Sequence, residues 1–366
     1  MQKQNAMTKE PFPAYLCGYE TTYATDPRAA AEEWFRNAKY GLFLHFGLYS
    51  LLGRHEWVQL REKIRPGDYA ELAHVFKADR FDAEAIADFA VACEMKYVNI
   101  TTRHHDGFCL WPSEQTTFHV GNTPCGRDLL GEMARACATR GLGLFFYYSH
   151  GRDWKHPHAP NNDRWGGNAR PEYDPPEPTY ATGAAHDLNI YLDFMTAQIT
   201  ELLTSYGPIA GIWLDGIATP LNPLSKKGEP REGFDPRTAG DAFKCQDLYD
   251  HIHSIQPQVL VSYKQGYLGT EDFFAPEHKV YNRFGDEAAS KPGEVCTTSG
   301  GGWGYTAGHA TFTADELWDT LKTTREADYN LLMNVGPLPD GALPGGARAA
   351  LLAVGERIRS AGMPGE

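Results

Sequence analysis

The 366-residue chain is 42% hydrophobic and carries 34 basic against 47 acidic side chains, a net charge of -13. Its length and apolar content suffice for a large buried core, in one big α/β domain or two smaller ones. The negative balance argues against nucleic acid or an anionic membrane as a partner, because phosphates would be repelled over most of the surface, and a neutral ligand is the easier fit.

The opening stretch "MQKQNAMTKEPFPAYLCGYE" lacks the apolar core of a signal peptide, and no later stretch approaches the ~18 apolar residues that span a bilayer. A cytoplasmic location is therefore expected, with no membrane partner. The seven cysteines are odd in number, scattered and without a C-x-x-C pair. They suggest neither a disulfide framework nor a zinc site, and most read as small apolar residues.

After a lead over residues 1–28, the segment 29–40 reads as a short helix and 41–50, "GLFLHFGLYS", as a buried strand interrupted by His45. Residues 81–95 place apolar side chains at 85, 86, 89, 90 and 93, the spacing of one helical face, with Asp82 as its cap. A strand follows at 97–102, then a helix over 127–141 that stops at Gly141, then a strand over 142–149. The loop at 150–184 is far longer than the usual few residues, which marks it as functional or mobile. The apolar stripe of 186–206 (Leu188, Tyr191, Leu192, Met195, Ile199, Leu202, Leu203, Tyr206) makes the best helix in the chain, ended by Gly207 and Pro208.

That helix feeds "GPIAGIWLDG", an apolar run of strand length that closes on Asp215 and the chain-reversing Gly216. Beyond a loop at 217–238, a helix (241–256) and a strand (259–264) precede a long polar stretch, 265–310, holding one extended piece at 294–298. A helix then opens at 312–317, with Thr313 as cap, Glu316 reciprocating, and Phe312 and Leu317 as the staple pair. A last strand (330–336) and a last helix (346–360) complete the chain. Six or seven strands thus alternate with helices, the long insertions falling after strands. That asymmetry predicts a (β/α)8 TIM-like barrel forming one domain over 29–366. The competitor, an open doubly wound sheet, lacks its G-x-G-x-x-G turn after the first strand.

In a barrel the strand ends converge on one mouth. They bring His45, His104, His105, Asp106, Tyr147, Tyr148, His150, Trp213 and Asp215 together, a lining of imidazoles, aromatic faces and a carboxylate that suits a sugar. Asp215 is the leading catalytic candidate; the plainer reading makes Asp215-Gly216 a turn pair. A metal is not expected. The first strand offers one histidine instead of a spaced pair, and His104 and His105 would point to opposite sides of a regular strand.

The stretches "KYGLFLHFGLYS", "HEWV", "YVNITTRHHDGFCLWPS", "GLGLFFYYSHGRDW", "GIWLDG", "EVCTT" with "WGY", and "NLLMNVGPLPDG" follow one another in that order. From about residue 30 to 360 the chain thereby resembles the retaining α-L-fucosidases of glycoside hydrolase family 29. The resemblance implies a barrel that removes terminal α-L-fucose by double displacement, with Asp215 as nucleophile and Trp213 beside it. It also implies that His45, His104, His105, Glu56, Trp57 and Tyr147 bind the sugar, that Arg283 is a pocket arginine, and that Glu294 in "GEVCTT" is the acid/base. Phe43, Phe46 and Trp303 are candidates for the patch under the fucose methyl. No metal or cofactor is implied.

Two features depart from the family pattern. Gly293 stands where a tryptophan is expected before the acid/base, which leaves Glu271, Glu277 and Glu287 open for that role, and the β-sandwich that commonly follows the barrel is not in this sequence. A non-catalytic fucose-binding protein, a metal-dependent barrel hydrolase and a glycosidase of other specificity remain competing readings. The partner expected is a small-molecule or oligosaccharide fucoside, and a homo-oligomer is compatible with everything above.

Overall fold

A computed structural model describes residues 12–165, 169–215, 236–263, 269–280 and 290–365. Eight strands, β1 (Tyr40–Leu44), β2 (Tyr97–Arg103), β3 (Gly143–Ser149), β4 (Gly211–Asp215), β5 (Leu260–Tyr263), β6 (Phe273–Phe274), β7 (Gly293–Thr298) and β8 (Tyr329–Val335), close in sequence order into one parallel barrel. The seam is β1 on β8, with Phe43 opposite Asn334. The strand absent from the sequence reading is β6; two residues are too few to show a period.

Around the barrel lie α1 (Pro27–Ala38), α2 (Ala83–Ala92), α3 (Leu129–Arg140), α4 (Leu188–Ser205), α5 (Cys245–Ile255), α6 (Ala314–Glu326) and α7 (Gly345–Ala361). Their starts follow capping chemistry. The carboxylates of Asp26, Asp82, Asp128 and Asp187 each accept from backbone N–H groups of the first turn of α1 to α4, which satisfies donors that a helix start leaves without partners. At α6 the capping box of Thr313 and Glu316 forms as expected, whereas Phe312 stays 43% exposed beside the buried Leu317. Helix α1 begins two residues earlier than the apolar pattern suggests because Asp26 caps it and Pro27 occupies the first turn.

Strand alternation sorts side chains between two apolar clusters. On β3, Phe145 and Tyr147 point inward to meet Phe43, Tyr97, Trp213, Leu260, Phe273 and Leu332. Leu144, Phe146 and Tyr148 point outward to the helical shell. Burying one such leucine or phenylalanine is worth roughly 1.5–3 kcal/mol, so the outer cluster, which runs from Tyr40 to Ile358, dominates the stability of the fold. The inner cluster is the floor of the site. Its N-terminal end is closed by Trp34 and Phe35 of α1 and by Tyr15 and Leu16. Tyr15 packs 4.6 Å from Trp34 and its hydroxyl donates to the Ile209 carbonyl, so the chain from Pro13 onward is part of the barrel's base and not a loose lead.

Glycines make room for large rings on neighbouring strands. A Cβ on Gly41 would stand 2.4 Å from the Tyr97 ring, and one on Gly293 2.2 Å from the ring of Tyr329. The tryptophan expected at 293 has no space while Tyr329 keeps its place. Among the described residues no helix is long and apolar enough to cross a membrane.

Candidate active site

The β4 strand ends on Asp215, whose carbonyl accepts from the backbone N–H groups of His150 (2.8 Å) and Gly151 (3.1 Å) just past β3. Its buried carboxylate accepts the Tyr147 hydroxyl at 2.7 Å, and Nε2 of His105 stands 3.8 Å from the same oxygen. The other ring nitrogen of His105 reaches the Ser149 hydroxyl at 2.6 Å; that hydroxyl donates onward to the Arg152 carbonyl, so His105 is the donor in this contact. His105 is thus aimed at Asp215 by a serine that sequence reasoning passed over.

His104 and His105 enter the site together, with ring centroids 4.0 Å apart. A regular strand would have split them, but the β2–β3 register shifts between Thr101 and Arg103 and β2 ends there. His104 lies stacked on Tyr147 at 5.5 Å, and its Nδ1 is buried with no hydrogen-bond partner among the described residues. Burial and the neighbouring imidazoles of His105 and His45 hold its pKa well below the ordinary histidine value. The His104 imidazole is held in its neutral form.

β1 stops at Leu44, shorter than the run to residue 50 expected from sequence; the His45 N–H still donates to the Val335 carbonyl at 3.3 Å, and the next amide, Phe46 N–H, is taken by the Thr101 hydroxyl at 3.1 Å. The Asn334 amide donates to the Trp303 carbonyl at 2.7 Å, so its oxygen accepts from Nδ1 of His45 at 2.6 Å. Asn334, at the end of β8, is a second positioning group that no motif singled out. Glu56 accepts the Gly304 N–H at 2.7 Å. Burial pushes its carboxyl up, but the His55 hydrogen bond, the imidazoles of His104 and His45 and the Gly304 N–H outweigh that and hold it down at about 2. Trp57 crosses His105 at 5.0 Å and Trp154 at 5.5 Å.

Several expected members of the mouth are elsewhere. Tyr148 faces the shell and bonds Gln198 of α4 at 2.8 Å. Asp106 is a turn residue, accepting from the Tyr69 hydroxyl and from the Phe108 N–H. His150 packs against Phe243, 5.3 Å away. Phe46 packs on Phe76 and Phe81 in the outer cluster, so it offers nothing to a fucose methyl. Phe43 and Trp303 do meet beside His45.

The glutamates separate clearly. Glu294 is the second residue of β7, with four strand residues, about 13 Å of rise, between it and the strand's C-terminal end. Its two oxygens accept the Tyr97 hydroxyl (2.5 Å) and the Trp213 indole N–H (2.9 Å), and burial pushes its carboxyl up to about 7 against those two donors. Glu271 precedes β6 and accepts the Tyr249 hydroxyl of α5, on the base side of the strand. Glu277 follows β6 on the mouth side; its side chain is 34% exposed and accepts the Trp303 indole N–H at 2.9 Å. Glu287 and Arg283 lie outside the described residues.

The loop after β3 is ordered around two arginines. Arg170 donates to the carbonyls of His156, Ala159 and Pro160 and lies over the Tyr180 ring, while the Tyr180 hydroxyl holds the Trp154 carbonyl at 2.7 Å. Fully buried Arg103 pairs with Asp153 at 2.6 Å and also binds the Ser149 carbonyl and the Tyr191 hydroxyl. Removing one member strands the other charge in the interior. The Arg103→Met variant is expected to lose about 3–5 kcal/mol of stability, read as a lowered urea midpoint; a wild-type midpoint would refute the assignment.

A parallel barrel whose strand-end aspartate is held by a phenol and an imidazole, beneath a rim of indoles and histidines, has the construction of a barrel glycosidase. The chain belongs to the alpha-L-fucosidase family, whose profile matches residues 8–363. It is 28% identical over 342 residues to the putative alpha-L-fucosidase 1 of rice (Oryza sativa subsp. japonica), covering 87% of this chain and 56% of that protein. The chain thus spans little more than half of that curated relative. Among solved structures, alpha-L-fucosidase isoenzyme 1 from Paenibacillus thiaminolyticus superposes with a TM-score of 0.77 at 32% identity, covering 92% of this chain and 77% of that one. The alpha-L-fucosidase AlfC of Lactobacillus casei in complex with α-L-fucose gives 0.74 at 29% identity, covering 90% and 99%.

Proposed function

We propose that the protein is a retaining exo-α-L-fucosidase that hydrolyses terminal α-L-fucosides through a covalent fucosyl intermediate on Asp215. The observation that carries this reading is the setting of Asp215: at the end of β4, with the Tyr147 hydroxyl and Nε2 of His105 on one oxygen. A donor such as the Tyr147 hydroxyl keeps a carboxylate ionised and orients it for attack on the anomeric carbon. His45, His104, Glu56 and Trp57 surround the sugar, the two imidazoles, that of His104 neutral, and an ionised carboxylate bonding its hydroxyls. That the structural neighbour AlfC is solved with 4-nitrophenyl α-L-fucopyranoside supports a fucoside as the ligand.

For the acid/base we take Glu277 in place of Glu294. A group that protonates the leaving oxygen and then activates water must reach the mouth and exchange protons with solvent. Glu277 is partly exposed there on Trp303, whereas Glu294 is enclosed in the barrel with both oxygens occupied. Retention requires the two carboxyl groups to close to about 5–5.5 Å around the substrate. The test is turnover of 4-nitrophenyl α-L-fucoside with NMR detection of the first anomer released. α-L-Fucose appearing first supports the mechanism; β-L-fucose first makes the enzyme inverting, and binding without turnover leaves a fucose-binding protein.

A further inference from the structure

Glu294 is a buried ionisable group that this mechanism does not use. We propose that it is a positioning residue: from inside the barrel it clamps the indole of Trp213, which braces Tyr147 and through it the nucleophile Asp215. The proposal rests on the fucosidase reading above.

The contacts form one continuous path. Oε1 of Glu294 accepts the indole N–H of Trp213 at 2.9 Å, and Oε2 accepts the Tyr97 hydroxyl at 2.5 Å. Trp213 is buried and lies stacked on Tyr147, with centroids 5.6 Å apart and planes at 24°, while the Phe43 ring packs against both, 5.5 Å from Trp213 and 5.8 Å from Tyr147. Tyr147 donates to Asp215 at 2.7 Å. Trp213 also stands two residues before Asp215 on β4, so both side chains leave the same face of the strand. An indole has one hydrogen-bond donor and no acceptor. Without Glu294 that donor would be buried unsatisfied, and the ring would turn to find another acceptor.

The clamp works in either protonation state. An ionised carboxylate accepts both donors; a protonated one accepts from Trp213 through its carbonyl and donates to the Tyr97 oxygen. A glutamine can do the same, its carbonyl to Trp213 and its amide N–H to Tyr97. A positioning role therefore tolerates Glu294→Gln, which an acid/base role does not.

The experiment compares full-length wild type, Glu294→Gln, Glu294→Met, Trp213→Phe and the Glu294→Met/Trp213→Phe double variant on 4-nitrophenyl α-L-fucoside. Thermal midpoints and the indole ¹H–¹⁵N spectrum are recorded for each. The Trp213 resonance is identified by its loss in Trp213→Phe. Glu294→Gln is expected to keep kcat within the wild-type order of magnitude, the wild-type pH profile and a protected Trp213 indole proton. Glu294→Met is expected to lower kcat about 10- to 100-fold with little change in KM, the cost of a misplaced reacting group, and to shift and expose the indole proton. The double variant should be no worse than the poorer single one.

A Glu294→Gln enzyme that is inactive on poor leaving groups and yields α-fucosyl azide would make Glu294 the acid/base and end the proposal. So would a Glu294→Met enzyme with wild-type kcat or an unmoved Trp213 resonance. If Glu294→Met fails to fold, Glu294→Gln and Trp213→Phe still decide. Wild type without turnover would instead remove the fucosidase reading, and the indole spectrum would still show whether Glu294 holds Trp213.

Discussion

Replacing Asp215 with alanine is expected to lower kcat for 4-nitrophenyl α-L-fucoside by on the order of 10⁴-fold, the loss that follows removal of a nucleophile, and added azide is expected to restore turnover with β-fucosyl azide as product. Four neighbours surround Asp215: its carbonyl accepts the N–H groups of His150 and Gly151, its carboxylate accepts the Tyr147 hydroxyl, and Nε2 of His105 stands 3.8 Å away. Alanine leaves a space on the attacking side that a small anion fills, and a single displacement on an α-fucoside inverts the anomeric carbon. The product is read by NMR of the reaction mixture. Substantial residual activity in Asp215→Ala, or an azide product of α configuration, would place the nucleophile elsewhere.

The legibility of that aspartate in the sequence has a simple cause. An apolar run of strand length ending on a charged residue and a glycine reads as a strand end, whether the acid is a turn residue or a catalytic one, and β4 ends at Asp215. The alternation of strands and helices was legible for the same reason, as was the capping at Asp82 and Thr313, where a local hydrogen bond decides the helix start. Properties set by contacts distant in sequence were not. The inward turn of both His104 and His105 depends on a register shift against β3, and the outward turn of Phe46 on β1 ending two residues before it. Asn334 and Ser149 orient His45 and His105 from other strands. The choice between Glu277 and Glu294 turns on depth along the barrel axis, which one-dimensional spacing does not encode. "GEVCTT" looks like a strand with an acid in it, and it is one, but the acid sits at the strand's base end.

The acid/base role proposed for Glu277 gives Glu277→Ala a different signature from Asp215→Ala. On a fucosyl disaccharide, whose alkoxide leaves poorly without a proton, kcat/KM should fall about 10²- to 10⁴-fold, the usual worth of a positioned general acid. On 4-nitrophenyl α-L-fucoside the leaving phenolate needs little help, so the fucosyl-enzyme forms readily and then waits, because water is no longer activated. KM for that substrate should fall with kcat as the intermediate accumulates. Azide, which needs no general base, should raise kcat and trap the intermediate as α-fucosyl azide. The basic limb of the pH profile of kcat/KM should also disappear, since in the wild type it reports the loss of the acid's proton as pH rises. Glu277 carries its Trp303 hydrogen bond at a partly exposed position, so its removal disturbs little of the buried clamp beneath Trp213, and these kinetic effects stand apart from a loss of stability. An equal loss on both substrates, with the basic limb intact and no azide product, would show that Glu277 moves no proton in the reaction.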